Sequence, residues 1–127
     1  MRPLTTGTLC VLTGLAGFSL GAYMAATKGW GTGTVTAMIV NDSGSPIERA
    51  RIEFESCNLQ GIAIVGSLSA GARRTVHYSL CGEGGYVVDV RFADGRSVRS
   101  DGAYVERGYR TLDVVQRDRI DSNQSSY

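Results

Sequence analysis

The side chains best suited to chemistry in this 127-residue chain are its three cysteines and its single histidine. Cys57 and Cys81 each follow an alternating run that reads as a strand. An up-and-down arrangement brings those two strand ends to the same end of a sandwich. In an oxidising compartment that placement predicts a Cys57–Cys81 disulfide; the alternative is two separate thiols too far apart to bridge. Cys10 is left over, a small apolar residue in an apolar run. His77 falls at an outward position between Val76 and Tyr78. No cysteine or carboxylate stands at ligand spacing from it, so it makes no zinc site. A surface histidine is a better reading than a Ser-His-Asp triad, which is recognised by spatial geometry and not by spacing. Gly29-x-Gly31-x-Gly33 precedes a strand and no helix, so it is not a dinucleotide loop, and Glu83-Gly84-Gly85 is a turn. No metal and no cofactor is implied, and the chain reads as non-enzymatic. Tyr86, Tyr104 and Tyr109 could form an aromatic platform for a carbohydrate or a peptide, with core and edge filling as their competing role.

The elements that position these residues begin with a membrane segment. Pro3 to Thr27 contains no charged residue, and about 25 residues at 1.5 Å each exceed the roughly 20 needed to span a bilayer as a helix. Residues 1–28 are therefore expected to form one N-terminal transmembrane signal-anchor, followed by a Gly-rich linker at 29–33. Arg2 and the amino terminus favour the cytoplasmic side. The C-terminal domain is then expected in the periplasm or outside the cell, with the anchor in the inner (cytoplasmic) membrane. The alternative is a cleaved signal peptide ending near Ser19-Leu20-Gly21. Cys10 lacks the apolar leader of a lipoprotein cysteine. Ala16-Gly17-Phe18-Ser19-Leu20 lacks the acidic residue and long helix that follow a type IV pilin cleavage point. Thr13, Gly17, Gly21 and Ala25 recur at every fourth position and would form a smooth helix-packing face, Gly17-xxx-Gly21 being the small-residue pattern of close helix contacts.

About 95 residues remain, enough for one small core. Of 13 Lys and Arg, only Arg2 and Lys28 precede this part, leaving 11 against 12 Asp and Glu. So balanced a domain lacks the basic stripe of a nucleic-acid binder. Period-two alternation broken by turn signals every 8–12 residues predicts an all-β sandwich of about seven strands over 34–117, immunoglobulin-like or transthyretin-like, with a small closed barrel as the alternative. The first run is Gly33 to Asn41 and the turn Asp42-Ser43-Gly44-Ser45-Pro46 follows. In the second run Ala50, Ile52 and Phe54 face the core, while Arg49, Arg51, Glu53 and Glu55 face water. A third run covers Gly61 to Val65. Val76, Tyr78 and Leu80 point inward from the fourth. Tyr86, Val88, Val90 and Phe92 share one face of the strongest strand. Asp94-Gly95 signals a two-residue hairpin. Leu112 and Val114 are the expected core residues of the last strand, and 118–127 reads as a polar, frayed tail.

The first hairpin, GTVTAMIVNDSGSPIERARIEF, resembles the carboxypeptidase regulatory-like domain, which opens with a strand, a D-x-x-G-x-P turn and an alternating strand. GGYVVDVRFADG is similar to that family's later strand. The resemblance covers about a third of the chain, and LSAGARRTVHY departs from the family's Thr-Asp-x-x-Gly turn. It implies a non-catalytic sandwich module that binds or spaces. The expected function is a membrane-anchored accessory or assembly subunit of a bacterial envelope complex, its partner another membrane or envelope protein. Open sheet edges would be available to accept a partner strand. The alternative is a released periplasmic or secreted module that binds a carbohydrate or a peptide.

Overall fold

A computed structural model of the chain describes residues 33–125. The expected membrane helix, its Thr13–Gly17–Gly21–Ala25 face and Cys10 lie outside the described residues. Those residues form nine strands and no helix. The strands are β1 (Thr34–Asn41), β2 (Ile47–Ser56), β3 (Leu59–Leu68), β4 (Arg73–Ser79), β5 (Gly84–Phe92), β6 (Ser97–Arg99), β7 (Ala103–Val105), β8 (Arg110–Val115) and β9 (Ile120–Ser125). One sheet runs β4-β1-β8-β9, the other β3-β2-β5-β6 with β7 also on β5. Every pairing is antiparallel except β1 with β8. The all-β sandwich expected from the alternation is therefore present, with nine strands in place of about seven.

The core lies between the sheets and follows the alternation closely. Val35, Ala37 and Ile39 of β1 face Ala50 and Ile52 of β2 and Tyr86, Val88, Val90 and Phe92 of β5, all buried. Phe54 and Val76 pack against this cluster from its margin. Burying a Val, Ile or Phe side chain contributes about 1.5–3 kcal/mol, so this two-faced layer dominates the stability of the domain.

Four expectations need correction. The turn after β1 does not close a hairpin, because β1 and β2 belong to different sheets. Asn41 explains the crossing. It is fully buried, and its amide donates to the carbonyls of Ser45, Leu68 and Ser69 while its Oδ1 accepts from the Ser43 amide and hydroxyl. One side chain thus ties the arch to the turn between β3 and β4. The Asp94-Gly95 hairpin exists, but Phe92 pairs with Arg96 around a three-residue loop with Gly95 at φ 89°. This is the form in which a left-handed glycine ends a tight turn.

The third correction concerns β8, where Leu112 is 39% exposed and Val114 half-buried, while Thr111, Asp113 and Val115 face the core. Register places Leu112 beside Met38 and Val114 beside Val40, so both lie on the outer face of their sheet. Polar Thr111 and Asp113 can occupy the inner face because their groups bond one another and their neighbours. Fourth, the supposed frayed tail is strand β9, which covers the edge of β8 through six paired residues. Ser122 of that strand donates to buried Asp113, and Ile120 packs on the core.

Candidate interaction surface

The β2–β3 hairpin carries the most exposed apolar surface of the domain. Its turn is Cys57-Asn58, with φ of 52° and 61°, the left-handed pair that a two-residue hairpin of this hand demands. Asparagine tolerates that region; cysteine adopts it less readily. Cys57 is held there by the expected disulfide to Cys81, with Cα atoms 6.2 Å apart. Buried Ser56 reinforces the junction, donating to the Glu83 carbonyl at 2.9 Å and accepting from the Gly82 amide at 3.3 Å.

That turn fixes which backbone groups are open. Ser56 pairs with Leu59, Glu55 with Gln60, Phe54 with Gly61, Glu53 with Ile62, Ile52 with Ala63 and Arg51 with Ile64. In a two-residue hairpin the residues flanking the turn form a hydrogen-bonded pair, and bonded and unbonded pairs alternate from there. Leu59, Gly61 and Ala63 therefore bond to β2, and Gln60, Ile62 and Ile64 direct their N–H and C=O outward. Among the described strands β3 has no neighbour on that side. The open stretch ends at a bulge near Gly66, where the Arg74 guanidinium donates to the Val65 carbonyl at 2.6 Å.

The side chains along this edge are unusual for an edge strand. β3 carries no charged residue over ten positions, and Leu59, Ile62 and Ile64 are 69%, 56% and 68% exposed. Edge strands are ordinarily blunted by charge, proline or shortness. The other edges are blunted in those ways: β4 begins Arg73-Arg74, β9 is polar with Asp121, and β6 and β7 have three residues each. Beneath β3, the Phe54 ring occupies the space over Gly61 and stacks on Tyr78 at 4.5 Å. The edge therefore rests on a rigid aromatic support.

Beside the edge, the outer face of the same sheet forms an open concavity of about 1170 Å³. Its lining includes Gly85, Ile62, Tyr104, Glu53, Glu55 and Arg99. Arg99 donates to Glu53 at 2.7 Å, and Arg51 bridges Glu53 and Asp89 at 2.8 and 2.9 Å. The hydrogen bond from Arg99, aided by the charges of Arg99 and Arg51, holds the Glu53 carboxyl below the usual range against a smaller effect of burial. An ionised, doubly paired carboxylate of this kind frames a surface and is poorly placed to move protons.

The sequence-derived site residues separate. Tyr104 and Tyr109 come together edge to face at 6.0 Å, and the Tyr104 hydroxyl donates to Glu106 at 2.9 Å. That bond, more than burial, pushes Tyr104 up to about 12. Tyr86 is not part of this surface: it is 2% exposed, on the inner face with Val88 and Val90, and its hydroxyl donates to Asp113 at 3.0 Å. Alternation along β5 already placed it inward. His77 is exposed, its Nδ1 3.2 Å from the Thr36 hydroxyl. No group of three or more His, Cys, Asp or Glu side chains among the described residues could hold a metal ion. The open β3 edge was not singled out from sequence, although an uncharged run from Leu59 to Leu68 following a highly charged strand was the signal available.

No protein-family model matches the chain, and no curated protein matches it. Among solved structures it is similar to the NMR structure of a protein from Eubacterium rectale, with a TM-score of 0.56 at 12% identity over 76% of this chain and 94% of that one. At that identity the likeness concerns the sandwich fold alone.

Proposed function

We propose that this chain is a membrane-anchored, non-catalytic interaction module, an accessory or assembly subunit of a bacterial envelope complex, and that it engages its partner by strand addition at β3. The observation that supports this most is the edge strand β3, the one long, uncharged edge among the described strands, with outward Gln60, Ile62 and Ile64 backbone groups. Strand addition draws affinity from main-chain hydrogen bonds and specificity from alternate side chains. The anchor reading of residues 1–28 and the relation to carboxypeptidase regulatory-like or transthyretin-like modules belong to the same proposal, supported by the uncharged N-terminal run and by the strand–turn–strand motif around Asp42 to Pro46. Co-purification in gentle detergent tests it. Ile62→Lys should strip the partner from the chain, whereas Tyr104→Ala should not; retention of the partner by Ile62→Lys would reject strand addition at this edge.

A second reading is favoured by one feature. The concavity lined by Ile62 and Tyr104, the latter packed edge to face on Tyr109, suits a released module that binds a carbohydrate or a peptide. Intact mass of the mature protein separates the two: an N-terminus at Met1 supports the anchor, and one near Ala22 supports release.

A further inference from the structure

We infer that the strand added to β3 is the β3 strand of a second copy of this chain, paired antiparallel about a two-fold axis at Ile62. The inference rests on the strand-addition reading and names its partner. Three features support a self-partner. First, β3 bears no charge, so two copies meet without the like-charge opposition that separates most edge strands. Second, the outward groups form a self-complementary set. With Ile62 opposite its own copy, Gln60 falls opposite the second copy's Ile64, and Ile64 opposite its Gln60. All three outward residues then sit in bonded pairs, giving about six main-chain hydrogen bonds. Shifting the axis to Ala63 would place Gln60 against Gly66, at the bulge beside the Val65 carbonyl that Arg74 already occupies. The register at Ile62 uses the whole open stretch and stops where the strand is blocked. Third, the side chains brought together on the outer face are Ile62 against Ile62 and Ile64 against Gln60. This covers the two isoleucines that are more than half exposed in the single chain.

The contact is isologous and therefore closes at two copies. Each second sheet continues into that of its mate, and the remaining edges, shortened or charged, do not extend it further. The nearest opposed carboxylates, Glu53 on each copy, would be separated by three strand spacings, about 14 Å. That is beyond the screening length at physiological salt.

Register-specific cross-linking in the full chain, purified in detergent with Cys10→Ser, tests the inference. Directly opposed residues lie about 5.5 Å apart at Cα, within disulfide reach. Ile62→Cys should give a covalent dimer on mild oxidation. Gln60→Cys and Ile64→Cys should each give no covalent dimer alone, because each lies about 14 Å from its own counterpart; mixed together they should cross-link at least several-fold more. Ile62→Lys should reduce the native chain from a dimer to a monomer by light scattering, with an unchanged circular-dichroism spectrum and a melting temperature that no longer depends on protein concentration. A dimer that persists in Ile62→Lys would overturn the inference, as would cross-linking of Gln60→Cys with itself. Absence of every cross-link, together with loss of a different protein from Ile62→Lys pull-downs, would overturn the second copy while leaving strand addition standing. Absence of every cross-link with pull-downs unchanged would overturn both.

Discussion

Replacing Asp113 with asparagine should remove a pH dependence that runs opposite to ordinary acid denaturation. Asp113 is fully buried, with no cation paired to it among the described ion pairs. Its carboxylate accepts from Tyr86 and Ser122 on Oδ1, and from Thr111 on Oδ2 at 3.3 Å. Burial pushes its pKa up, and the three hydrogen bonds only partly oppose that. The folded state thus holds a proton more tightly than the unfolded chain does. Between the unfolded value of 3.8 and the raised folded value, stability contributed by this group falls as pH rises, and it is fully lost above the folded value. Asparagine keeps an acceptor for Tyr86 and Ser122, and Thr111 can turn to accept from its amide. Asp113→Asn should therefore cost no more than about 1 kcal/mol at pH 7 and should shrink its deficit as pH rises. Asp113→Ala leaves the buried Tyr86 and Thr111 hydroxyls without their acceptor, at about 3 kcal/mol, or about 15 °C in a domain of this size. Circular-dichroism melts from pH 4 to 8 read both effects. Equal destabilisation by Asn and Ala at pH 7, or parallel pH profiles for native and Asn proteins, would refute the assignment of a costly buried charge.

Reducing the Cys57–Cys81 bridge, which spans 24 residues in sequence, should cost about 3.5 kcal/mol in the chain-entropy account; melts with and without reductant measure it. Gly61→Ala should lose about 1–3 kcal/mol by overpacking, because a Cβ there would land on the Phe54 ring. Phe54→Leu in the same chain should recover part of that loss, as read by denaturant midpoints. Asn41→Asp should destabilise more than Asn41→Ala, since a carboxylate would face the carbonyls of Ser45, Leu68 and Ser69; chemical denaturation of the two variants compares them.

How much was legible in the sequence depended on whether local pattern or long-range pairing decided each element. Strand β5 alternates Tyr86, Val88, Val90 and Phe92 without interruption, and all four are buried. Strand β2 was equally clear, because charge marks one of its faces. Strand β8 misled because both of its faces accept apolar residues. Leu112 and Val114 look like core, yet the inner face belongs to Thr111 and Asp113, whose burial is made possible by Tyr86 and Ser122 far along the chain. The same bond explains β9, whose polar composition gives no strand signal until its partner is known. The arch at Asn41 looked like a hairpin because turn chemistry says where a chain reverses and not which sheet it joins. The disulfide was legible, since two strand ends at one end of a sandwich, together with the expected export of the domain, suffice to suggest it. The open edge was not: only strand order reveals that β3 is paired on one side.

Amide hydrogen exchange at Gln60, Ile62 and Ile64, in the full chain extracted with its native partners, tests the central claim most directly. These three amides point away from β2, so in a lone sandwich they exchange quickly while Gly61 and Ala63 are slow. In the assembled protein all five should be slow, and Ile62→Lys should return Gln60 and Ile64 to fast exchange without changing Gly61 and Ala63. Fast exchange at Gln60, Ile62 and Ile64 in the native extract would contradict the account, because a strand bound at this edge must occupy those groups.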